Sequence, residues 1–199
     1  MSKEEFSFIQ KYHNFLIPVL ALLVIFQAIA LTTSLPKRTQ VPTEAIPLSE
    51  VKTVPGTSAQ LHFVPSGVSL KKNETVSVDL FLTPKRSLRL DGVDVILSFN
   101  PEVIQMVQVT TPKLFSFVSQ KKEKENEGKI YLTFLEEKLG GLLISQQVKL
   151  LTLSIKGKAL GESELAILVA DEGPTTVITE SGTSKKLKFD QGDLKLIVR

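Results

Sequence analysis

The residues that could do chemistry are few and widely separated. The chain has no cysteine and only two histidines, His13 and His62. A hydrolytic triad needs a nucleophile, an imidazole and a carboxylate that converge, and a zinc site needs closely spaced ligands. The two histidines give neither arrangement, because 48 residues lie between them. The sequence therefore predicts no catalytic residue, no cofactor and no zinc site, and we do not expect an enzyme.

One acidic segment is a candidate for calcium. "DQGD" places Asp190 and Asp193 on either side of Gly192. An EF-hand loop needs oxygen ligands at regular positions over about twelve residues, which this segment does not supply. A glycine between polar residues is typical of a hairpin turn. We therefore interpret 190–193 as a turn and expect no metal.

The composition excludes one class of partner and allows a folded core. The chain has 199 residues, of which 42% are hydrophobic and 23% are charged. The formal net charge is +3, which is too small for the concentrated basic face that nucleic acid requires. We expect one globular domain with an appendage and no nucleic-acid partner.

The N-terminal region, 1–35, contains an apolar run. Phe15 to Leu31 reads "FLIPVLALLVIFQAIAL", about 17 residues without a charge, close to the length of a membrane-spanning helix. It is either an uncleaved single-pass anchor or a signal sequence cleaved after Ala30. Both readings carry the rest of the chain through a membrane. The domain would then be extracytoplasmic, held at the cell membrane by the anchor or secreted after cleavage.

Residues 36–60 have the composition of a linker. Four prolines are spread among Thr, Ser, Glu and Lys, and no period of 2 or 3.6 is present. Such a segment predicts an extended or disordered tether between the membrane segment and the folded domain.

Residues 61–199 alternate between apolar and polar side chains, segment after segment. Period 2 with one apolar face is typical of a half-buried antiparallel strand. Short strands separated by Gly, Pro, Asn and Asp indicate an all-β domain of about nine antiparallel strands in two packed sheets. The clearest alternating segments contain Val76 to Leu82, Val93 to Phe99, Ile130 to Phe134, Leu151 to Ile155, Leu165 to Val169, Leu187 to Phe189 and Leu194 to Val198.

The segment Leu90–Val109, "LDGVDVILSFNPEVIQMVQV", is the most informative of these. Asn100-Pro101 ends one strand and lets the chain turn into the next, where the broken alternation predicts a β-bulge near Met106-Val107. The outward side chains of the first strand are Asp94, Ile96 and Ser98. An outward apolar residue such as Ile96 is what the centre of an interface would use. The alternative is that Ile96 lies beneath a loop or on a strand buried on both sides.

The same segment resembles the cohesin domain family in "FNPEVIQMVQVT". Three further stretches are similar to that family in the same order: "GVSLKKNETVSVDLFLTP" (67–84), "GKIYLTFLEE" (128–137) and "KLLTLSIKGKALGESEL" (149–165). The resemblance covers most of Leu61 to Arg199. It implies a two-sheet jelly-roll sandwich, a fold shared with carbohydrate-binding modules.

The resemblance also implies a function. Cohesins bind dockerins, which are small calcium-loaded proteins, on one flat sheet face, so we expect a protein-binding module for scaffolding or attachment at the cell surface. Asp94 and Glu136 match positions where the family has partner contacts. Tyr131 and Thr133 are further candidates beside them. The alternative for both carboxylates is an idle, solvated surface position.

Two other functions remain open from the sequence. A carbohydrate-binding module would stack sugar rings on exposed aromatic planes, but the chain has no Trp and its domain has only Tyr131, with Phe115 and Phe117 not assigned to a face. Polysaccharide binding is therefore less favoured than protein binding. A structural subunit of an envelope complex is the third hypothesis. The segment "QKKEKENEGK" (120–129) departs from the family and is interpreted as a solvated hairpin tip.

Overall fold

The computed structural model describes residues 56–121 and 127–199, excluding the Lys121 side chain. The predicted membrane segment, Phe15 to Leu31, the cleavage position Ala30 and nearly all of the predicted linker lie outside the described residues, as does the middle of the charged segment 120–129. Within the described residues, no helix has the length and apolar character needed to span a membrane.

The described domain is an all-β sandwich of two sheets, as the alternation predicts. The five-stranded sheet has the order β13-β1-β3-β9-β5. Its strands are β1 (Ala59–Val64), β3 (Thr75–Pro84), β5 (Ile104–Thr110), β9 (Val148–Gly157) and β13 (Phe189–Gly192).

The nine-stranded sheet has the order β12-β11-β4-β10-β14-β2, and β7 and β8 pair with β4 while β6 pairs with β7. Its strands are β2 (Gly67–Leu70), β4 (Leu88–Ser98), β6 (Phe117–Lys121), β7 (Lys129–Leu135), β8 (Leu142–Ile144), β10 (Gly161–Ile167), β11 (Val177–Glu180), β12 (Lys186–Leu187) and β14 (Leu194–Val198).

Two features of the predicted fold are wrong in detail. The described residues form fourteen strands instead of about nine, because several short strands lack a full alternating period. The pairing is also not wholly antiparallel, since β1 pairs with β13 and β2 pairs with β14 in parallel. Both parallel pairs join an N-terminal strand to a C-terminal strand, and such distant pairing leaves no signal in local sequence patterns.

The turn at Asn100-Pro101 carries the chain from one sheet to the other. β4 lies in the nine-stranded sheet and β5 in the five-stranded sheet. The Asn100 side-chain oxygen accepts a hydrogen bond from the Glu102 backbone N–H at 3.0 Å, and its carbonyl accepts one from Ile104 at 3.1 Å. The predicted bulge is confirmed, because the register of β5 against β9 shifts between Met106 and Gln108.

Residues 190–192 lie in a strand, and the predicted hairpin turn at 190–193 is wrong. Residues 189–192 form β13, and its register pairs Asp190 with Gln60 of β1. Asp190 is buried and lies 2.7 Å from the Lys85 ammonium. Asp193 is also buried, and it accepts a hydrogen bond from the Ile167 N–H at 2.9 Å. Both carboxylates therefore stabilise strand ends.

The core lies between the two sheets and is built from their inward side chains. On β4 these are Val93, Val95 and Leu97, and on β7 they are Ile130, Leu132 and Phe134. The Phe134 ring also packs against Phe115, with 5.7 Å between ring centroids. Apolar burial at these alternating positions fixes which side chains point outward.

We predict that Phe134→Ala lowers the free energy of unfolding by about 3–5 kcal/mol, because it leaves a cavity in the core. The control is Phe117→Ala on the neighbouring strand, where the side chain is 46% exposed. That control should cost about 1 kcal/mol or less. Urea denaturation measures both, and equal losses would contradict the assignment of the two faces.

Candidate partner-binding face

Five of the six predicted site residues lie on one face of the nine-stranded sheet. The register pairs Asp94 with Thr133, Ile96 with Tyr131, and Ser98 with Lys129 across β4 and β7. Asp94, Ile96 and Ser98 therefore point away from the core, as do Tyr131 and Thr133. We call the outward surface of β11, β4, β7 and β6 the β4–β7 face.

The carboxylate of Asp94 is held in place by its cross-strand neighbour. The Thr133 hydroxyl donates a hydrogen bond to Asp94 Oδ1 at 2.8 Å, and Asp94 remains exposed. Val177 of β11 lies opposite Asp94 on the other side, and Ser119 of β6 lies opposite Thr133. Asp94 is therefore an oriented hydrogen-bond acceptor in a row of side chains that crosses four neighbouring strands.

Ile96 is not the exposed apolar residue that an interface centre requires, and this expectation is corrected. Its side chain is 5% exposed. β10 and β11 both pair with the same edge of β4, and the chain between them, 168–176, leaves the sheet beside Ile96. The Ile96 N–H donates to Thr176 Oγ1 at 3.0 Å, and the Leu168 N–H donates to the Ile96 carbonyl at 2.8 Å. The Ile96 side chain is therefore buried, as both alternatives required, and the segment 168–176 is hydrogen-bonded to its backbone.

Glu136 lies just beyond the end of β7 and holds two loops together. Its backbone N–H donates to the Asp91 carbonyl at 2.8 Å. Its carboxylate accepts hydrogen bonds from the Ser116 hydroxyl and, at 3.0 Å, from the Lys138 backbone N–H. The hydrogen bond from Ser116, followed by that from Lys138, lowers the pKa of Glu136. Its side chain is therefore committed to the edge of the β4–β7 face.

The exposed apolar part of this face is a pair of residues that the sequence did not identify. Phe117 of β6 lies directly opposite Leu135 of β7, and these side chains are 46% and 43% exposed. Gly92 of β4 lies on the other side of Leu135, and a Cβ there would come within 2.8 Å of Leu135 Cδ2. The missing side chain at Gly92 thus leaves room for Leu135. Leu135 could have been found from the sequence, because it is an apolar residue at a position of β7 where the alternation predicts an outward side chain.

The face has the composition of an interface and not of a reaction centre. It combines an apolar pair, hydroxyls and one oriented carboxylate on a regular sheet. The described residues contain no group of three or more His, Asp or Glu side chains that could hold a metal ion. Tyr131 is half-buried and lies opposite Ile96 in the register.

His62 lies on the five-stranded sheet, away from the β4–β7 face. Its ring stacks on Phe81 with 6.1 Å between centroids, and Nε2 lies 3.4 Å from the Gln147 amide nitrogen. Burial lowers the pKa of His62. Among the described residues its Nδ1 atom has no hydrogen-bond partner, so a charged imidazolium would be poorly accommodated.

Comparisons with known proteins agree on one family. The model of the Cohesin domain matches residues 62–198. No curated protein matches the chain.

Three solved structures are similar in fold. The cohesin in the Coh-OlpA-Doc918 complex from Clostridium thermocellum is 11% identical, covers 71% of this chain and 99% of its own, and has a TM-score of 0.57. The third cohesin of ScaC, in complex with the ScaB dockerin from Acetivibrio cellulolyticus, is 19% identical and has a TM-score of 0.57. The match covers 70% of this chain and 98% of that cohesin. A non-cellulosomal cohesin from the archaeon Archaeoglobus fulgidus is 12% identical and has a TM-score of 0.54. The match covers 71% of this chain and 91% of that cohesin.

We predict that Thr176→Val destabilises the domain by about 1–3 kcal/mol, because the buried N–H of Ile96 loses its acceptor. Thr179→Val on β11 is the matched control, since Thr179 is half-exposed. Its effect should stay within about 0.5 kcal/mol. Thermal or urea unfolding measures both variants, and a harmless Thr176→Val would show that the segment 168–176 does not depend on this hydrogen bond.

We predict that the free energy of unfolding falls as the pH is lowered through the ordinary histidine pKa of 6.5. The pKa of His62 is lowered in the fold, so the unfolded chain takes up the proton first and gains stability relative to the native state. Above that pH His62 contributes no pH dependence. Urea unfolding between pH 8 and pH 5 should show a shallower decline for His62→Gln, and identical profiles would refute this role.

Proposed function

The chain belongs to the cohesin domain family, and from this premise we propose that its β4–β7 face binds a dockerin-like partner protein. The observation that carries the proposal is the exposed pair Phe117 and Leu135 beside the oriented Asp94 carboxylate. Two of the similar structures are complexes of a cohesin with a dockerin. Their identity to this chain is too low to transfer contacts, so the residues are chosen from this chain's own geometry.

The physical basis is the division of the face into an apolar part and a polar part. Burial of Phe117 and Leu135 would supply the association energy, because half-exposed large side chains lose apolar surface to water-free contact. Asp94, already oriented by Thr133, would accept a hydrogen bond from the partner with little further loss of side-chain freedom. An apolar centre with a polar rim is the usual anatomy of a specific interface.

We also propose that the domain is held outside the cell membrane by the apolar run Phe15 to Leu31. The support is the length of this uncharged run and the proline-containing segment that follows it. In this arrangement the cohesin domain would retain its partner at the cell surface. Cleavage after Ala30 would release the same domain in secreted form.

We predict that Leu135→Ser weakens partner binding at least about tenfold, because a central apolar contact is lost. Dockerin modules encoded in the same genome are the probe, and titration calorimetry in the presence of calcium is the measurement. Asp94→Ala should weaken binding by a smaller factor, since an exposed hydrogen bond is lost.

The matched control is Val107→Ser on the five-stranded sheet, where the side chain is 48% exposed, close to the 43% of Leu135. Val107→Ser should leave the affinity within about twofold, because it lies outside the proposed interface. Equal effects of Leu135→Ser and Val107→Ser would exclude the β4–β7 face. Binding of polysaccharide instead of any dockerin would overturn the choice of partner.

A further inference from the structure

The described chain begins at one end of the sandwich, which we call the proximal end. Gly56 to Ser58 lead into β1. The Ser58 N–H donates to the Lys188 carbonyl at 2.9 Å, and the Ser58 carbonyl accepts from the Lys85 N–H at 2.9 Å. The 136–141 loop and the 180–185 turn lie at the same end. Arg89 joins them, because its carbonyl accepts from the Ser181 N–H at 2.8 Å and its guanidinium donates to the Gly140 carbonyl at 3.1 Å.

This end is rich in exposed cations. Arg89, Lys138, Lys185, Lys186 and Lys188 are all exposed. Glu137 is an exposed acidic residue at this end. Three further acidic residues have partners: Asp190 is buried against Lys85, Glu180 lies 3.7 Å from Arg86, and Glu136 accepts from Ser116 and Lys138. Asp91 is half-buried.

An apolar side chain projects from this end, next to Lys138 in the chain. Leu139 is fully exposed at the tip of the 136–141 loop. Gly140 and Gly141 both have positive φ, at 87° and 67°, and these values turn the loop sharply behind Leu139. Leu143, on the edge strand β8, is exposed beside Arg89, its partner in the register. Exposed leucines surrounded by lysine and arginine are the combination that binds at the surface of an anionic bilayer.

We propose that the proximal end docks on a membrane surface that carries anionic lipid headgroups, with Leu139 inserted between them and Lys138, Lys185 and Lys186 on the headgroup phosphates. This inference rests on the membrane tether proposed above. The 24 residues from Thr32 to Pro55 connect the apolar run to the described domain, and they span at most about 86 Å when fully extended. The proximal end therefore stays near the bilayer, where even weak docking is favoured by effective concentration.

The opposite end provides an internal control. Leu160 is an exposed leucine in the turn between β9 and β10, and Lys71 and Lys72 are an exposed lysine pair beside it. The Asn73 N–H donates to the Gly157 carbonyl at 2.8 Å, which places these two turns together at that end. Leu160 and Lys71–Lys72 thus match Leu139 and Lys185–Lys186 in chemistry while facing the other way.

The test uses the full chain in vesicles with a fluorophore on a single cysteine. Because the chain contains no cysteine, Leu139→Cys and Leu160→Cys each give one labelling site. Vesicles of brominated phosphatidylcholine, with or without phosphatidylglycerol, quench a label that reaches the acyl chains. We expect strong quenching at position 139 that requires phosphatidylglycerol, and none at position 160 with either lipid.

Charge variants then identify the basic residues. Lys185→Gln with Lys186→Gln should weaken docking at least about tenfold, since each cation near an anionic surface contributes about fivefold. Lys71→Gln with Lys72→Gln should change nothing. Equal quenching at positions 139 and 160, quenching at 139 without phosphatidylglycerol, or shielding of 139 by a dockerin and not by lipid would each overturn the proposal.

Failure of the tether has a different signature. In neutral vesicles the proposed docking does not occur, so only the apolar run can hold the chain on the membrane. A chain that does not float with neutral vesicles would therefore contradict the tether. Flotation with anionic vesicles alone, together with quenching at position 139, would contradict the tether and support the docking surface. Dockerin binding in solution is read separately through Leu135→Ser, so neither vesicle result decides it.

Discussion

The structure depends on strand β4, which is hydrogen-bonded along both edges and divides its side chains between the core and the surface. β7 and β8 pair with one edge, and β10 and β11 pair with the other. Val93, Val95 and Leu97 fill the core, so the alternate positions must point outward. A register slip of one residue would bury Asp94 and expose three apolar side chains. The position of the β4–β7 face is therefore a direct consequence of core packing.

Local alternation was sufficient to predict this part of the molecule. The inward residues of β4 and β7, the turn at Asn100 and the bulge beside Val107 are all encoded within about ten residues of sequence. The placement of Asp94 and Thr133 on one face follows from the same period. What each of them does for a partner stays a prediction, because the register fixes only their positions.

The incorrect or missed features depend on distant segments. The backbone of Ile96 is hydrogen-bonded to the chain between β10 and β11, where Thr176, 80 residues later, accepts from its N–H. The segment 190–193 contains turn-forming residues, yet residues 190–192 are in a strand because they pair in parallel with β1. Phe117 is paired with Leu135 only through the β6–β7 register, which alternation in either strand alone does not reveal. Tertiary contacts overrode local preference in each case.

The two proposed surfaces make compatible demands on orientation. β4 starts and the antiparallel β7 ends at the proximal end, so both strands extend between this end and the end that carries the Leu160 turn. If the proximal end meets a bilayer, these strands stand away from the membrane and the β4–β7 face is presented sideways to solution. Phe117 and Leu135 lie in the part of that face nearest the proximal end, because β6 starts and β7 ends there, and Asp94 lies one outward-facing pair further from it. Under the two proposals, a partner on the β4–β7 face would therefore approach from the side of the sandwich, with Phe117 and Leu135 close to the lipid surface, so the two proposed surfaces adjoin each other along the end of β7.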